Sequence, residues 1–194
     1  QASGWPVTPE LAQAMTGWNS PAAPDHPVRI VANGQTALDA AAQAAQAEGW
    51  QVIRLDDELT GDAAATGRAH AALALDHAGR PGRTLLLSGG ELTVKVNASD
   101  GRGGPNLEYL TGLMAALPAG APIAALACDS DGIDGSEDNA GGYFDSASRA
   151  PAEACEAALA ANRSYDLFES FGGLIKTGPT RTNVNDIRMI AVGV

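Results

Sequence analysis

The stretch VRIVANGQTALDAAAQAAQAEGWQVIRL, residues 28–55, holds one full period of the rhythm from which the fold is read. Val28 to Ala32 is a short apolar run ending at Asn33-Gly34, a turn pair. Ala37, Leu38, Ala41, Ala42, Ala44 and Ala45 then recur at helical spacing until Gly49. Gln51 to Leu55 reads as the next strand. Working outward, Asp62 to Ala78 reads as a helix stopped by Gly79, Pro81 and Gly82, and Thr84 to Leu87 as a buried strand. Leu92, Val94 and Val96 alternate with Thr93 and Lys95, the period of a half-exposed strand. Leu107, Leu110, Leu113, Met114 and Leu117 line a further helix, which Pro118 and Gly120 close. A strand is expected over Ile123 to Ala127, helices near Pro151 to Ala160 and Tyr165 to Phe171, and closing strands at Leu174 to Thr177 and Ile187 to Val192. Strands alternating with helices predict an α/β fold, with a mixed, largely parallel sheet flanked by helices. Residues 1–27, rich in Pro, Gly and Ser, read as a lead-in from an upstream domain, and residues 28–194 as a single α/β domain.

The composition narrows the function classes. A formal charge of −11 argues against nucleic acid or an anionic membrane as the main partner. Any anionic ligand must be held by local basic groups and amides working against that field. Aromatic residues make up 5% of the chain, too few to suggest stacking platforms. Cys128 and Cys155 form no disulfide framework and lack metal-ligand spacing to each other or to His26, His70 or His77. The histidines read as surface or core-edge residues, Cys128 as a packed thiol, and a reducing cytoplasm as the compartment. No run of apolar residues approaches the ~18 needed to span a membrane. A chain opening on Gln1 is expected to be a processed product or a fragment.

Four loops hold most of the unusual chemistry. The first is Ser88-Gly89-Gly90-Glu91, where paired glycines let backbone approach a ligand and a carboxylate stands ready to accept from a hydroxyl. The second, Gly101-Arg102-Gly103-Gly104, opens a helix near Asn106 and sets a guanidinium beside free backbone N–H groups, an anion site. It is not a dinucleotide fingerprint, because Asn106 stands where the third glycine belongs, and no Gly-Lys-Ser/Thr follows to make a P-loop. The third runs from Asp129 to Asn139, and its acidic side chains repel one another unless a cation sits among them. An EF-hand fails there, since its third Asp is a residue late and Ala140 replaces the closing Glu; magnesium, which takes only one or two carboxylates, suits the loop better. The fourth, Thr177 to Asp186, is dense in hydroxyls and amides, with Thr180, Thr182, Asn183 and Asn185 able to bond phosphate or substrate oxygens.

Together the motifs Ser88-Gly89-Gly90-Glu91, Gly101-Arg102-Gly103-Gly104-x-Asn106, Asp131-Gly132-Ile133-Asp134-Gly135 and Thr177-Gly178-Pro179-Thr180-x-Thr182-Asn183-Val184-Asn185-Asp186 resemble the MOFRL glycerate 2-kinases. Members of that family often carry the label hydroxypyruvate reductase. The resemblance covers residues 85–194. It implies phosphorylation of D-glycerate at its 2-hydroxyl, with ATP and Mg2+ as cofactors. It places Glu91, Arg102, Asp131 and Asn185 at active-site positions, and Asp134 and Asn183 beside them. Ser88, Gly89, Gly90, Gly103, Gly104, Thr180 and Thr182 would serve as further substrate or phosphate contacts. Arg102 would clamp a carboxylate or phosphate; Asp131 would hold magnesium or orient the substrate hydroxyl, with Asp134 as the second metal position. The sequence departs from the family at Pro105, where many relatives carry Arg, and at Arg181, where Gly is common. The resemblance also implies an amino-terminal domain that supplies a lysine and half the cleft, and leaves a homodimer open. Two other readings stand beside the kinase: a non-catalytic anion-binding or assembly module, and an NAD(P)-linked hydroxypyruvate reductase.

Overall fold

The structure, a computed structural model, describes residues 8–16, 27 and 29–194. The chain divides into two compact units, residues 1–31 and 32–194. The first contains α1 (Pro9–Thr16), which buries none of its residues. The rest of the lead-in expectation falls mostly on residues outside the description. Residues 29–33 form no strand, and Ile30 and Val31 are exposed, which corrects the strand expected over Val28 to Ala32; Val28 itself lies outside the described residues. The Asn33-Gly34 pair begins a helix instead of ending a strand. Asn33 Oδ1 accepts from the Thr36 amide at 2.9 Å while Thr36 Oγ1 accepts from the Asn33 amide, a capping box.

The second unit contains, in order, α2 (Gly34–Ala47), β1 (Gln51–Leu59), α3 (Ala63–Ala78), β2 (Thr84–Gly90), α4 (Pro105–Ala116), β3 (Ile123–Asp129), β4 (Gly141–Phe144), α5 (Ala152–Ala160), α6 (Ser164–Ser170), β5 (Leu174–Ile175) and β6 (Asp186–Val192). Its six strands form one mixed sheet in the order β1-β2-β6-β3-β4-β5. Parallel pairing is confined to β1 and β2, and every other neighbour is antiparallel. The strand–helix alternation did signal parallel strands: β1, β2 and β3 all run the same way. The β2–α4–β3 crossover leaves a slot between β2 and β3, and β6 fills it in the opposite direction. The ladder is therefore antiparallel where the strand directions inferred from the helices are parallel.

Two further differences concern short segments. Leu92 to Val96 makes only an isolated bridge, Thr93 with Asp62, and Val96 is 75% exposed. Both edges of β2 are already taken, by β1 and β6, and Gly90 at φ +89° turns the chain out of the sheet. β4, with the sequence Gly-Gly-Tyr-Phe, is not among the expected strands; two glycines in four residues give it little strand signal.

The core lies mainly between the sheet and α3 and α4, where Leu86, Leu107, Leu110, Leu113, Ile123, Phe144 and Ile190 are buried together. A smaller cluster of Leu38, Ala42 and Leu87 sits under α2 on the opposite face. Helices α3 and α4 approach through one glycine each. A Cβ on Gly67 would stand 2.1 Å from the Tyr109 carbonyl oxygen, and one on Gly112 would stand 2.3 Å from that of Ala64. No helix among the described residues is long and apolar enough to cross a membrane.

Candidate active site

The topology delivers the loops to one edge of the sheet. β2 and β3 leave the sheet there and β6, running oppositely, enters it there. The register places Asp129 opposite Asp186, Cys128 opposite Ile187, and Ser88 opposite Arg188. Helix α4 begins at the same edge because it follows β2.

Loops three and four are bonded directly. The Thr180 amide donates to Asp131 O at 2.8 Å, the Val184 amide to Ser130 Oγ at 2.8 Å, and Asn183 Nδ2 to Asp131 Oδ2 at 3.4 Å. The Thr180 hydroxyl donates to Ser130 O, and Thr182 N points back at that hydroxyl from 3.5 Å. Asp131 Oδ1 accepts from the Ile133 amide at 2.8 Å, which leaves Oδ2 as the oxygen turned toward Asn183. Asn183 Oδ1 in turn accepts from the Asn185 amide at 2.9 Å, and Asn185 is held at φ +66°. Gly132 admits this contact, since a Cβ there would meet Gly178 O at 2.2 Å. Asn183 and Asn185 line a cavity of about 930 Å³ with Asn33, Gln35, Arg54 and Asp56 to Glu58.

Loop one enters the cluster from β2. Ser88, Gly89 and Gly90 are buried sheet residues, and the exposed Glu91 follows at once, its amide donating to Leu59 O at 2.8 Å. The Asp129 carboxyl is half-buried and pushed above its ordinary range, first by burial and also by the charges of Asp131 and Glu91. Neighbouring carboxylates at a strand end thus raise the cost of ionising Asp129, the condition that a cation relieves.

Two expectations are corrected here. Arg102 is not a free clamp. Its guanidinium donates to Glu137 Oε2 at 2.9 Å and to Asp166 Oδ1 at 2.7 Å, and it lies 4.3 Å over the Tyr165 ring. In so acidic a chain, a lone guanidinium on a glycine loop is taken up by carboxylates of the fold. With Gly103 and Gly104 it lines a second cavity of about 430 Å³ that excludes Asn183 and Asn185. Asp134 does not face a metal position either. It is 1% exposed, with Oδ1 accepting from Asn106 N at 2.9 Å and Oδ2 from Leu107 N at 3.0 Å. Gly104, the N-cap position of α4, carries no side chain, and Asp134 satisfies the helix start from a neighbouring loop. A Cβ at Gly104 would stand 2.4 Å from Asp134. Among the described residues no three His, Cys, Asp or Glu side chains converge as a metal-holding group.

Burial pushes the Asp134 carboxyl up to about 6, against the help of the Asn106 and Leu107 amides. Its folded value therefore exceeds the unfolded one, so the folded state binds the extra proton between roughly pH 4 and 6. Its contribution is full below that window and is lost as pH rises through it. Between pH 4 and pH 7 the wild-type protein should lose on the order of 2 kcal/mol more unfolding free energy than Asp134→Asn. Urea titrations at several pH values measure this, and parallel curves for the two proteins would refute it.

Sequence reading missed a buried polar group beneath the loops. Arg188 is 1% exposed, and its Nη1 donates to Gly89 O at 2.9 Å while Nη2 pairs with Asp186. Tyr109 lies beside it, with its hydroxyl 2.9 Å from His70 Nδ1. His70 is buried, not at the core edge, and burial followed by the Arg188 charge lowers it to about 4. The signal available was β6's own alternation, which puts residues 186 and 188 in phase with the apolar Ile190 and Val192.

Comparison with known proteins places this arrangement. The MOFRL family matches residues 84–186. The chain is 45% identical over 175 residues to a protein of Agrobacterium vitis named "Putative hydroxypyruvate reductase", covering 86% of this chain and 40% of that protein. It is 34% identical to a glycerate 2-kinase of Pyrococcus horikoshii, covering 81% of this chain and 38% of that one. The crystal structure of a glycerate kinase from Thermotoga maritima superposes with a TM-score of 0.78 at 30% identity, over 87% of this chain and 42% of that one. The chain thus spans about two fifths of the length of these relatives. With the family match running through all four loops and a relative's fold reproduced around them, the chain belongs to the MOFRL family.

Proposed function

We propose that this chain forms one wall of a glycerate 2-kinase cleft, in which the γ-phosphoryl group of ATP passes to the 2-hydroxyl of D-glycerate. The observation that carries the reading is the bonded pair of turns Asp131–Ile133 and Thr180–Asn185, with Glu91 near enough to the adjoining Asp129 for its charge to act on that carboxyl. This is a site of amides, hydroxyls and carboxylates without a nucleophile–base pair, which suits a transfer run by positioning and charge stabilisation. Asp131 Oδ2 is the oxygen that would receive the glycerate hydroxyl proton or orient that hydroxyl. Asn183 and Asn185 would donate to substrate and phosphate oxygens from the cavity wall. Asp129 and Asp131 fit a magnesium ion arriving with the nucleotide, since such an ion needs only one or two protein carboxylates. When bound, that ion would neutralise developing phosphate charge. The remaining length of the family's proteins would supply the facing wall and the cationic contacts that Arg102, already ion-paired, does not provide.

The A. vitis name keeps a reductase reading in play, and one experiment separates the two. The full-length protein containing this chain is assayed for ADP formation with D-glycerate and magnesium-ATP, and for NADH oxidation with hydroxypyruvate. ADP formation dependent on glycerate is expected. Hydroxypyruvate-dependent NADH loss without it would replace the kinase reading by the reductase.

A further inference from the structure

Along β6 the residues facing α3 and α4 are Asp186, Arg188, Ile190 and Val192. Two are apolar, as a core demands, and two are charged, both at the end where the loops meet. The Arg188 and Asp186 side chains are 0% and 5% exposed. A buried ion pair contributes little net stability compared with apolar residues of the same volume, so packing does not account for a guanidinium here. Arg188 Nε has no partner, which makes the site still less economical as mere core.

Its two bonds share a feature. Gly89 O, bonded at 2.9 Å, belongs to the strand end that launches Glu91, and Asp186 closes the turn that carries Asn183 and Asn185. The Glu91 turn is also fixed from the other side, by its amide on Leu59 O at 2.8 Å. One planar guanidinium, with fixed spacing between its nitrogens, thus spans the two turns.

We infer that Arg188 is a positioning residue: resting on the kinase reading above, it sets the spacing between the Glu91 turn and the Asn183–Asn185 turn from beneath the cleft. It touches no substrate and acts only through these two strand ends. Because an error of about 1 Å in such a site can cost about 100-fold in rate, removing it should lower kcat far more than it alters binding.

The test uses the full-length protein with Arg188→Met, which fills the volume, and Arg188→Lys, which keeps a charge but cannot fork to both partners. Expected for Arg188→Met, which leaves the buried Asp186 carboxylate without its partner, is a lowered melting temperature together with a kcat per folded molecule lowered about 100-fold and KM for ATP within about threefold. Arg188→Lys should fall between the two at about tenfold. Should Arg188→Met fail to fold, Arg188→Lys decides by the same split between kcat and KM. Wild-type kcat per folded molecule in a folded variant overturns the inference and leaves the kinase reading intact. An inactive wild type overturns both.

Discussion

Gly112→Ala is expected to lower the unfolding free energy by about 3 kcal/mol, although alanine favours a helix over glycine by about 1 kcal/mol. The two effects have opposite signs and geometry decides between them. A Cβ at Gly112 would lie 2.3 Å from Ala64 O and 2.8 Å from its Cα, and both are backbone atoms of α3 that no rotamer change can move. Gly67 returns the contact from α3, with a Cβ 2.1 Å from Tyr109 O and 2.7 Å from Leu113 N. The helices must part by most of an ångström to admit either methyl. Parting them loosens the buried layer of Leu110, Leu113 and Ile190. Since a domain holds only about 5–15 kcal/mol in all, the double variant Gly67→Ala/Gly112→Ala should be largely unfolded at 37 °C. Urea denaturation followed by circular dichroism measures both, and a midpoint at or above wild type for Gly112→Ala would remove the close-approach argument.

Asp131→Asn should abolish most turnover while leaving the fold in place. Its Oδ1 accepts the Ile133 amide, a bond an asparagine oxygen can also accept. What the substitution removes is the charge on Oδ2, the oxygen beside Asn183. If that oxygen receives or orients the reacting hydroxyl, kcat falls by about 100-fold to 10,000-fold with an unchanged melting temperature. Arg102→Ala gives the contrast. Its partners are Glu137, Asp166 and the Tyr165 ring, so the expected loss is first in stability and about tenfold or less in kcat. Steady-state kinetics on the two variants side by side are decisive. A full loss of activity in a folded Arg102→Ala protein, with Asp131→Asn unaffected, would invert the assignment.

The helices were legible because alanine and leucine recur at helical spacing between glycine and proline stops, and α2 to α6 lie where that pattern puts them. That the loops after β2 and β3 share one end of the sheet was legible too, since strands that exit together bring their loops together. Pairing was not. No local pattern reports that β6 reverses direction and slips between β2 and β3, because the partner of a strand is a property of distant residues. Arg188 escaped notice for a related reason: a charged residue in an alternating strand reads as solvent-facing, and only the phase of Ile190 and Val192 argues otherwise. Asp134 reads as a metal ligand because carboxylates crowd that loop, whereas its partners, the Asn106 and Leu107 amides, stand 28 and 27 residues away in sequence.

The position of β6 governs how this protein can be made. It follows the other five strands of the sheet in sequence yet pairs on both sides, with β2 and with β3. While the chain emerges from the ribosome, β1-β2 and β3-β4-β5 must wait as two separate ribbons, each with an unpaired border open to a neighbour. Residues 186–192 then join them in one late step of high contact order, which marks that interval as the one in which a chaperone has most to protect.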